Sequence, residues 1–203
     1  MDTVTHDYDD PTTVEPLEFI ERAEDTDGEF VRIEVTLHPR DAASSIASGV
    51  THRRWIVDDD GEHRHPTQEE YISVLWGELR VVVDGTDHTL SRGDEIVLPA
   101  SVSHRHWNPA DRPTRVLVEH RPARRSELLL ETLFTLAQAG KTDESGVPNL
   151  LQSMVLQQTY PDHAYAADVP IVVQKALASV LGPIGRLAGY RASYAIEDVE
   201  TIR

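Results

Sequence analysis

The stretch GEHRHPTQEEY, residues 61–71, places two histidines two apart, then a proline turn, then a pair of glutamates. Side chains at i and i+2 of a strand share one face, so His63 and His65 point the same way if the segment is extended. Pro66 and Thr67 turn the chain, and Glu70 begins the next strand. The stretch can be a polar loop between strands or part of a buried metal site. Its surroundings decide.

Those surroundings read as short strands. EFVRIEVTL, from Glu29, alternates apolar and polar residues and is β-branched. PRDAASSIASGV, residues 39–50, reads as a loop. From Arg53 to Arg121 the strand signals are dense: RRWIVD before the turn DDDG, EYISVLWG ending at Gly77, then ELRVVVDGTDHTL. The last contains Asp84-Gly85, a pair that tolerates the positive φ of a tight hairpin turn. SRGD is another turn, EIVLP stops at Pro99, and SHRHWN and TRVLVEHR close the series. Short strands separated by turns about every ten residues predict an antiparallel sandwich or barrel.

After Pro122 the apolar period lengthens to three or four. SELLLETLFTLAQAG predicts a helix with Ser126 as candidate N-cap and Gly140 as its stop. NLLQSMVLQQTY predicts a second. Asp168 and Pro170 open a third, IVVQKALASVL, which Gly182-Pro183 is expected to break before a short turn IGRLAGY. One apolar face on these helices points to packing on the outside of the barrel or across a dimer interface, in preference to a lid over the barrel mouth.

Composition limits the partners. The 203 residues carry 35 acidic and 19 basic side chains, a net charge of −16. That argues against a general nucleic-acid binder and against attraction to anionic membranes. The only lysines are Lys141 and Lys175, and an acidic, lysine-poor surface suits solubility in concentrated salt. The N-terminal stretch is acidic and lacks the apolar core of a secretory signal, so the expected location is the cytoplasm. The apolar run VPIVVQKALASVLGPIGRLAGY is interrupted by Gln174, Lys175 and Arg186 and does not read as a membrane span. With no cysteine, any transition-metal site must use histidine, carboxylate and water. His104 follows another proline-led turn about forty residues after the first pair. Three imidazoles and one carboxylate at one interior point make a good site for a divalent first-row metal.

Residues 61–108 resemble the two motifs of the cupin family. The first runs H-x-H, three or four residues, E, six residues, G; His63, His65, Glu70 and Gly77 fall on it. Glu70 rather than Glu69 is chosen because only it leaves six residues before the glycine. The second runs G, five residues, P-x-G, two residues, H, three residues, N; Gly93, Pro99, His104 and Asn108 are in register, with Ser101 where glycine is usual. That serine puts a strained backbone before His104, since glycine accepts positive φ freely.

The resemblance covers residues 28–122. It implies a mainly β fold, a double-stranded β-helix or jelly-roll barrel; the residues themselves give the C-terminal α-helical extension over 123–203 and an acidic, largely disordered leader over 1–27, with a short strand or helix around Leu17–Arg22 as an alternative within it. The resemblance implies one divalent transition metal (Fe, Mn, Ni, Cu or Zn) held by His63, His65, Glu70 and His104. The tail resembles the extension of a group of cupins from bacteria and haloarchaea.

The remaining candidates weigh less. His106 shares the parity of His104 and reads as a neighbour of the site, with a proton shuttle as the sharper alternative. Trp76 and Trp107 read as packing. Of Glu119 and His120, one points inward by alternation and can serve as a base. His52, His88 and His163 lack a partner pattern and read as surface residues. The functional expectation is a metal-dependent cupin enzyme, an oxygenase, isomerase or lyase, acting on a small organic molecule, in a homodimer without nucleic-acid or membrane partners. The alternatives are a non-catalytic cupin that senses or stores a small ligand and a structural dimer module.

Overall fold

The computed structural model describes residues 17–39, 53, 55–58 and 61–202. The first sixteen residues of the expected leader, most of the 39–50 loop, and His52 lie outside the described residues. The described residues form ten strands: β1 (Leu17–Glu21), β2 (Val31–Leu37), β3 (His63–Arg64), β4 (Glu69–Trp76), β5 (Glu78–Val83), β6 (Thr86–Ser91), β7 (Glu95–Leu98), β8 (His104–Trp107), β9 (Thr114–Arg121) and β10 (Tyr165–Ala166). They form two five-stranded antiparallel sheets, in the orders β1-β2-β9-β4-β7 and β10-β3-β8-β5-β6. The fold is mainly β, with the two sheets closed on a shared core. Strand β1 lies in the stretch read as leader and pairs with β2, so the sheet starts ahead of residue 28.

The alternation seen in the sequence is what fills the barrel. Ile33, Val35 and Leu37 of β2, Ile72 and Val74 of β4, and Val116 and Val118 of β9 are all buried. Ile33 and Ile72 are both partnered by Val118, which places one apolar layer across three strands. The hairpin at Asp84-Gly85 has positive φ at both residues, as its sequence predicts. Gly77 is required twice over: φ is +85°, and a Cβ would stand 2.6 Å from Thr114 Oγ1.

RRWIVD, read as a strand, forms a 3-10 turn at Ile56–Asp58. Trp55 explains the difference. It is completely buried, edge-on to Phe134 at 5.4 Å between ring centroids. On its other side a Cβ added to Gly146 would stand 2.3 Å from the Trp55 carbonyl carbon. Contacts with the extension fix this segment, and no described strand pairs with it.

Three helices follow the barrel: α1 (Ser126–Gln138), α2 (Leu150–Thr159) and α3 (Ile171–Leu187). Asn149 caps α2 by accepting from the Gln152 amide. Ser126 is not the cap of α1; Arg125 holds that position without a side-chain bond, and the Ser126 hydroxyl instead accepts from Gln68 Nε2 at 2.8 Å. Helix α3 is capped at Pro170, not Asp168, and runs unbroken through Pro183. The proline forfeits one bond to the carbonyl of Ser179, an exposed residue within reach of water. Its glycines serve close packing: a Cβ at Gly182 would stand 2.6 Å from Gln158, and one at Gly185 2.7 Å from Val155. No described helix is long and apolar enough to cross a membrane.

Candidate metal centre

The four predicted donors converge. One donor atom each from His63, His65, Glu70 and His104 lies within 4.8 Å of every other. Both sheets contribute. His63 on β3 sits directly opposite His104 on β8, while Glu70 comes from β4 in the other sheet. His65 follows β3, and its ring lies 5.0 Å from that of His63 and 5.3 Å from that of His104. His65, Glu70 and His104 are buried, and His63 is half-buried.

The local sequence holds each donor in place. Gln68, fully buried between His65 and Glu70, donates to the Pro122 carbonyl and to Ser126 at 2.8 Å, which ties the first motif to the start of α1. Ser101 adopts φ +66°, the strained conformation its position predicts. It is held there by two bonds to the first motif: its amide donates to the His65 carbonyl at 2.7 Å and its hydroxyl to that of Pro66 at 2.9 Å. Asn108 is completely buried and braces the chain after β8, donating to the carbonyls of Leu37 and Arg112.

The tautomers follow from the hydrogen bonds. Nδ1 of His63 lies 2.9 Å from the Gly61 carbonyl, Nδ1 of His65 2.6 Å from the His163 carbonyl, and Nδ1 of His104 3.0 Å from the Val102 carbonyl. A carbonyl only accepts, so each Nδ1 carries the proton and each neutral ring keeps its lone pair on Nε2. The Nε2 atoms of His65 and His104 lie 3.3 and 3.4 Å from the same oxygen of Glu70. Burial opposes ionisation of Glu70, and hydrogen bonds from His104 and His65 outweigh it and hold the carboxyl well below the usual range; those bonds need a proton on Nε2, the place a metal ion takes when the rings are neutral. Lone pairs and an ionised carboxylate gathered at one buried point repel one another unless a cation sits among them. The donor set therefore fits a divalent metal of the kind that accepts imidazole and carboxylate.

Above these donors lies a cavity of about 430 Å³. The barrel supplies Ile33 and Val118, and the extension supplies Leu129 and Leu133 of α1, Leu156 of α2, and Tyr160. The helices thus wall the site, which corrects the preference for packing on the outside of the barrel.

His163 is a second correction. Expected at the surface, it is buried, its ring 5.2 Å from those of both His65 and His120. Strand β10 brings it there by pairing with β3, Tyr165 opposite Arg64 and Ala166 opposite His63. No sequence signal marks it, because a two-residue strand has no periodicity.

His120 is the inward member of its pair. It stands opposite Glu70 across β4 and β9 and lines the cavity. Glu119 is bonded by the guanidinium groups of Arg32 and Arg121. His106 is buried and lines the cavity, outside the four-donor cluster. The tryptophans do not line it: Arg105 and Arg80 lie over Trp107, and Arg112 over Trp76. Glu69 is outside the cluster and His88 is exposed, as expected.

A jelly-roll barrel with three histidines and one glutamate clustered in its mouth defines the class. Residues 57–119 match the family described as Cupin domain, and the mainly β fold is that of a cupin. Protein SchB of Streptomyces halstedii is 36% identical over 28% of this chain and 41% of its own length. The polyketide synthase CurC of Streptomyces cyaneus is 33% identical over 30% of this chain and 40% of its own. The chain thus spans about two fifths of the length of these curated relatives. Among solved structures, a salicylate 1,2-dioxygenase from Pseudoaminobacter salicylatoxidans is 25% identical over 46% of this chain and 23% of that one, with a TM-score of 0.36.

Proposed function

We propose that His63, His65, Glu70 and His104 hold one divalent transition metal, Fe, Mn, Ni, Cu or Zn, and that the chain is an enzyme of oxygenase, isomerase or lyase type acting on a small organic molecule. The observation that carries this reading is the set of three Nδ1–carbonyl bonds, which aim the Nε2 lone pairs at the point where the Glu70 carboxyl also arrives. A bound ion of this kind supplies Lewis acidity or, if redox-active, a site for dioxygen. The protein residues orient the donors, exclude water with the apolar wall, and enclose the substrate. The likeness to a protein named as a polyketide synthase supports a carbon-rich organic substrate.

The apolar cavity also favours a second reading, a non-catalytic store or sensor, because it binds ligand whether or not turnover follows. Elemental analysis of protein purified without chelator is expected to find about one first-row metal ion per chain. Metal-free protein, together with undiminished thermal stability in His63→Ala and His104→Ala, sinks the reading. Oxygen uptake against candidate substrates then separates an oxygenase from an isomerase or lyase, and absence of any turnover leaves the store.

The proposal includes a cytoplasmic homodimer adapted to high salt. Helix α3 exposes Val173, Leu177, Val180 and Ile184 at spacings of four and three, the period of a helix-pairing seam. It carries Lys175 and Arg186 and no acidic residue, in a chain whose net charge of −16 otherwise keeps copies apart. Sedimentation equilibrium of Val180→Glu against the unaltered chain, repeated across KCl concentration, tests both points.

A further inference from the structure

The cavity carries little charge beyond its floor. His63, His65 and Glu70 of the donor cluster line it, so it reaches the point where the donors meet. The wall above is largely apolar, built on Ile33, Val118, Leu129, Leu133 and Leu156. Its hydroxyls are turned away. Tyr160 donates to the carbonyl of Ala192, Tyr165 to that of Pro161, and Ser153 to that of Pro148. No lysine or arginine lines the cavity among the described residues. His120 and His163 are buried beside His65, where desolvation, and any cation among the donors, disfavours a charge on either.

The donor set leaves a charge to be matched. A divalent ion brings two positive charges, the three neutral imidazoles bring none, and Glu70 cancels one. The other carboxylate of the lining, Glu62, is exposed and accepts from the Ser103 hydroxyl. One positive charge therefore faces the apolar cavity. A ligand with one anionic oxygen at the floor cancels it. A neutral ligand leaves it in place, and a second anionic group higher on the wall meets no cation. A buried charge without a partner is costly in either case.

We propose that the cavity selects a substrate with a single anionic oxygen head, an ionised enol, phenol or carboxylic acid, carried on an apolar body without a second charge. Glu70 sets the count by leaving one charge to be matched, and the apolar residues of α1 and α2 give no partner to a further one. The selection deepens the proposed function and rests on its metal reading. The cavity of about 430 Å³ falls within the roughly 300–1,000 Å³ of sites that enclose a small organic ligand, which admits a body of fused rings.

The test uses the full chain, either loaded with redox-inert zinc or stripped with a chelator, and follows the fluorescence of naphthyl probes. In the loaded protein 2-naphthoate is expected to bind at least about tenfold more tightly than naphthalene, and naphthalene-2,6-dicarboxylate at least about tenfold more weakly than 2-naphthoate. In the stripped protein the first preference should reverse, because Glu70 then faces the head with no cation between them. Reciprocity requires 2-naphthoate to raise zinc affinity by the same factor by which zinc raises naphthoate affinity, and chelator competition reads that factor. Equal binding of naphthoate and naphthalene with zinc bound, dicarboxylate binding as tight as that of naphthoate, or a naphthoate preference that survives stripping overturns the selection. Zinc content measured on the same samples reports the metal reading separately. Zinc uptake without a naphthoate preference overturns the selection and leaves the metal; no uptake at all removes both.

Discussion

His65 and His163 have rings 5.2 Å apart in one buried site, yet the chain holds them in opposite ways. The His65 ring is aimed by a bond from its Nδ1, and the partner in that bond is the backbone of His163 itself. The His163 ring is held by packing and has no hydrogen bond of its own. The same contrast separates the three donor histidines from His120. It teaches that burial alone does not define a ligand: what marks the donors is a carbonyl behind each ring that fixes the tautomer and the direction of the lone pair.

The contrast can be broken most strongly with protons. Burial, with Glu70 opposing, pushes the pKa of His120 down to about 4 from a reference of 6.5. His65, His63 and His104 add to the lowering, and burial lowers His163 beside it in the same direction. The unfolded chain then binds more protons than the native one between these values. Stability is therefore full above about pH 6.5 and falls as the pH drops toward 4, by about 3 kcal/mol for His120 in metal-free protein. Urea unfolding across this range measures the slope, and His120→Leu should flatten it; an unchanged slope in that variant would mean that His120 is not the group responsible.

Removing a donor is the next largest effect. His104→Ala or Glu70→Gln should weaken metal binding by about 100-fold or more, and His120→Leu by less than about threefold. Competition with a chromophoric chelator gives both numbers, and similar losses in the two groups would erase the distinction drawn here.

A smaller effect tests the support behind His163. Gln174 on α3 donates to the carbonyls of Ala166 and Val169 and accepts from the Ala166 amide, which anchors β10. Gln174→Ala should lower stability by about 1–2 kcal/mol and weaken metal binding several-fold by loosening the carbonyl behind His65. Thermal unfolding of metal-free and loaded protein reads both. The smallest effect is expected for His163→Ala, which keeps the carbonyl: metal affinity should change by less than about twofold, and a tenfold loss would make the imidazole itself a ligand.

What the sequence shows of this site divides along the same line. The four donors are legible because strand parity and motif spacing are local, and each donor sits beside a turn that the residues announce. Glu70 is separated from Glu69 by register against Gly77, and the structure places Glu70 in the cluster. His163 is not legible, since its place depends on a two-residue pairing to β3 about a hundred residues earlier in the chain. The 3-10 turn at Ile56 and the unbroken α3 were hidden for a related reason. A β-branched run beside Trp55 and a Gly-Pro pair carry local preferences that contacts with distant residues override, Phe134 and Gly146 in one case and Gln158 and Val155 in the other.

The bond from His65 to the His163 carbonyl has one more consequence. A carbonyl is common to every residue, so the chain can respell position 163 freely without disturbing His65. What it cannot freely change is the number of residues between Tyr160, which donates from its side chain to the Ala192 carbonyl, and Tyr165, which is locked opposite Arg64. Surface connections ordinarily tolerate insertions better than the elements they join. This one is constrained in length and permissive in letters, so relatives that share the site should conserve the spacing from 160 to 165 more faithfully than the histidine within it.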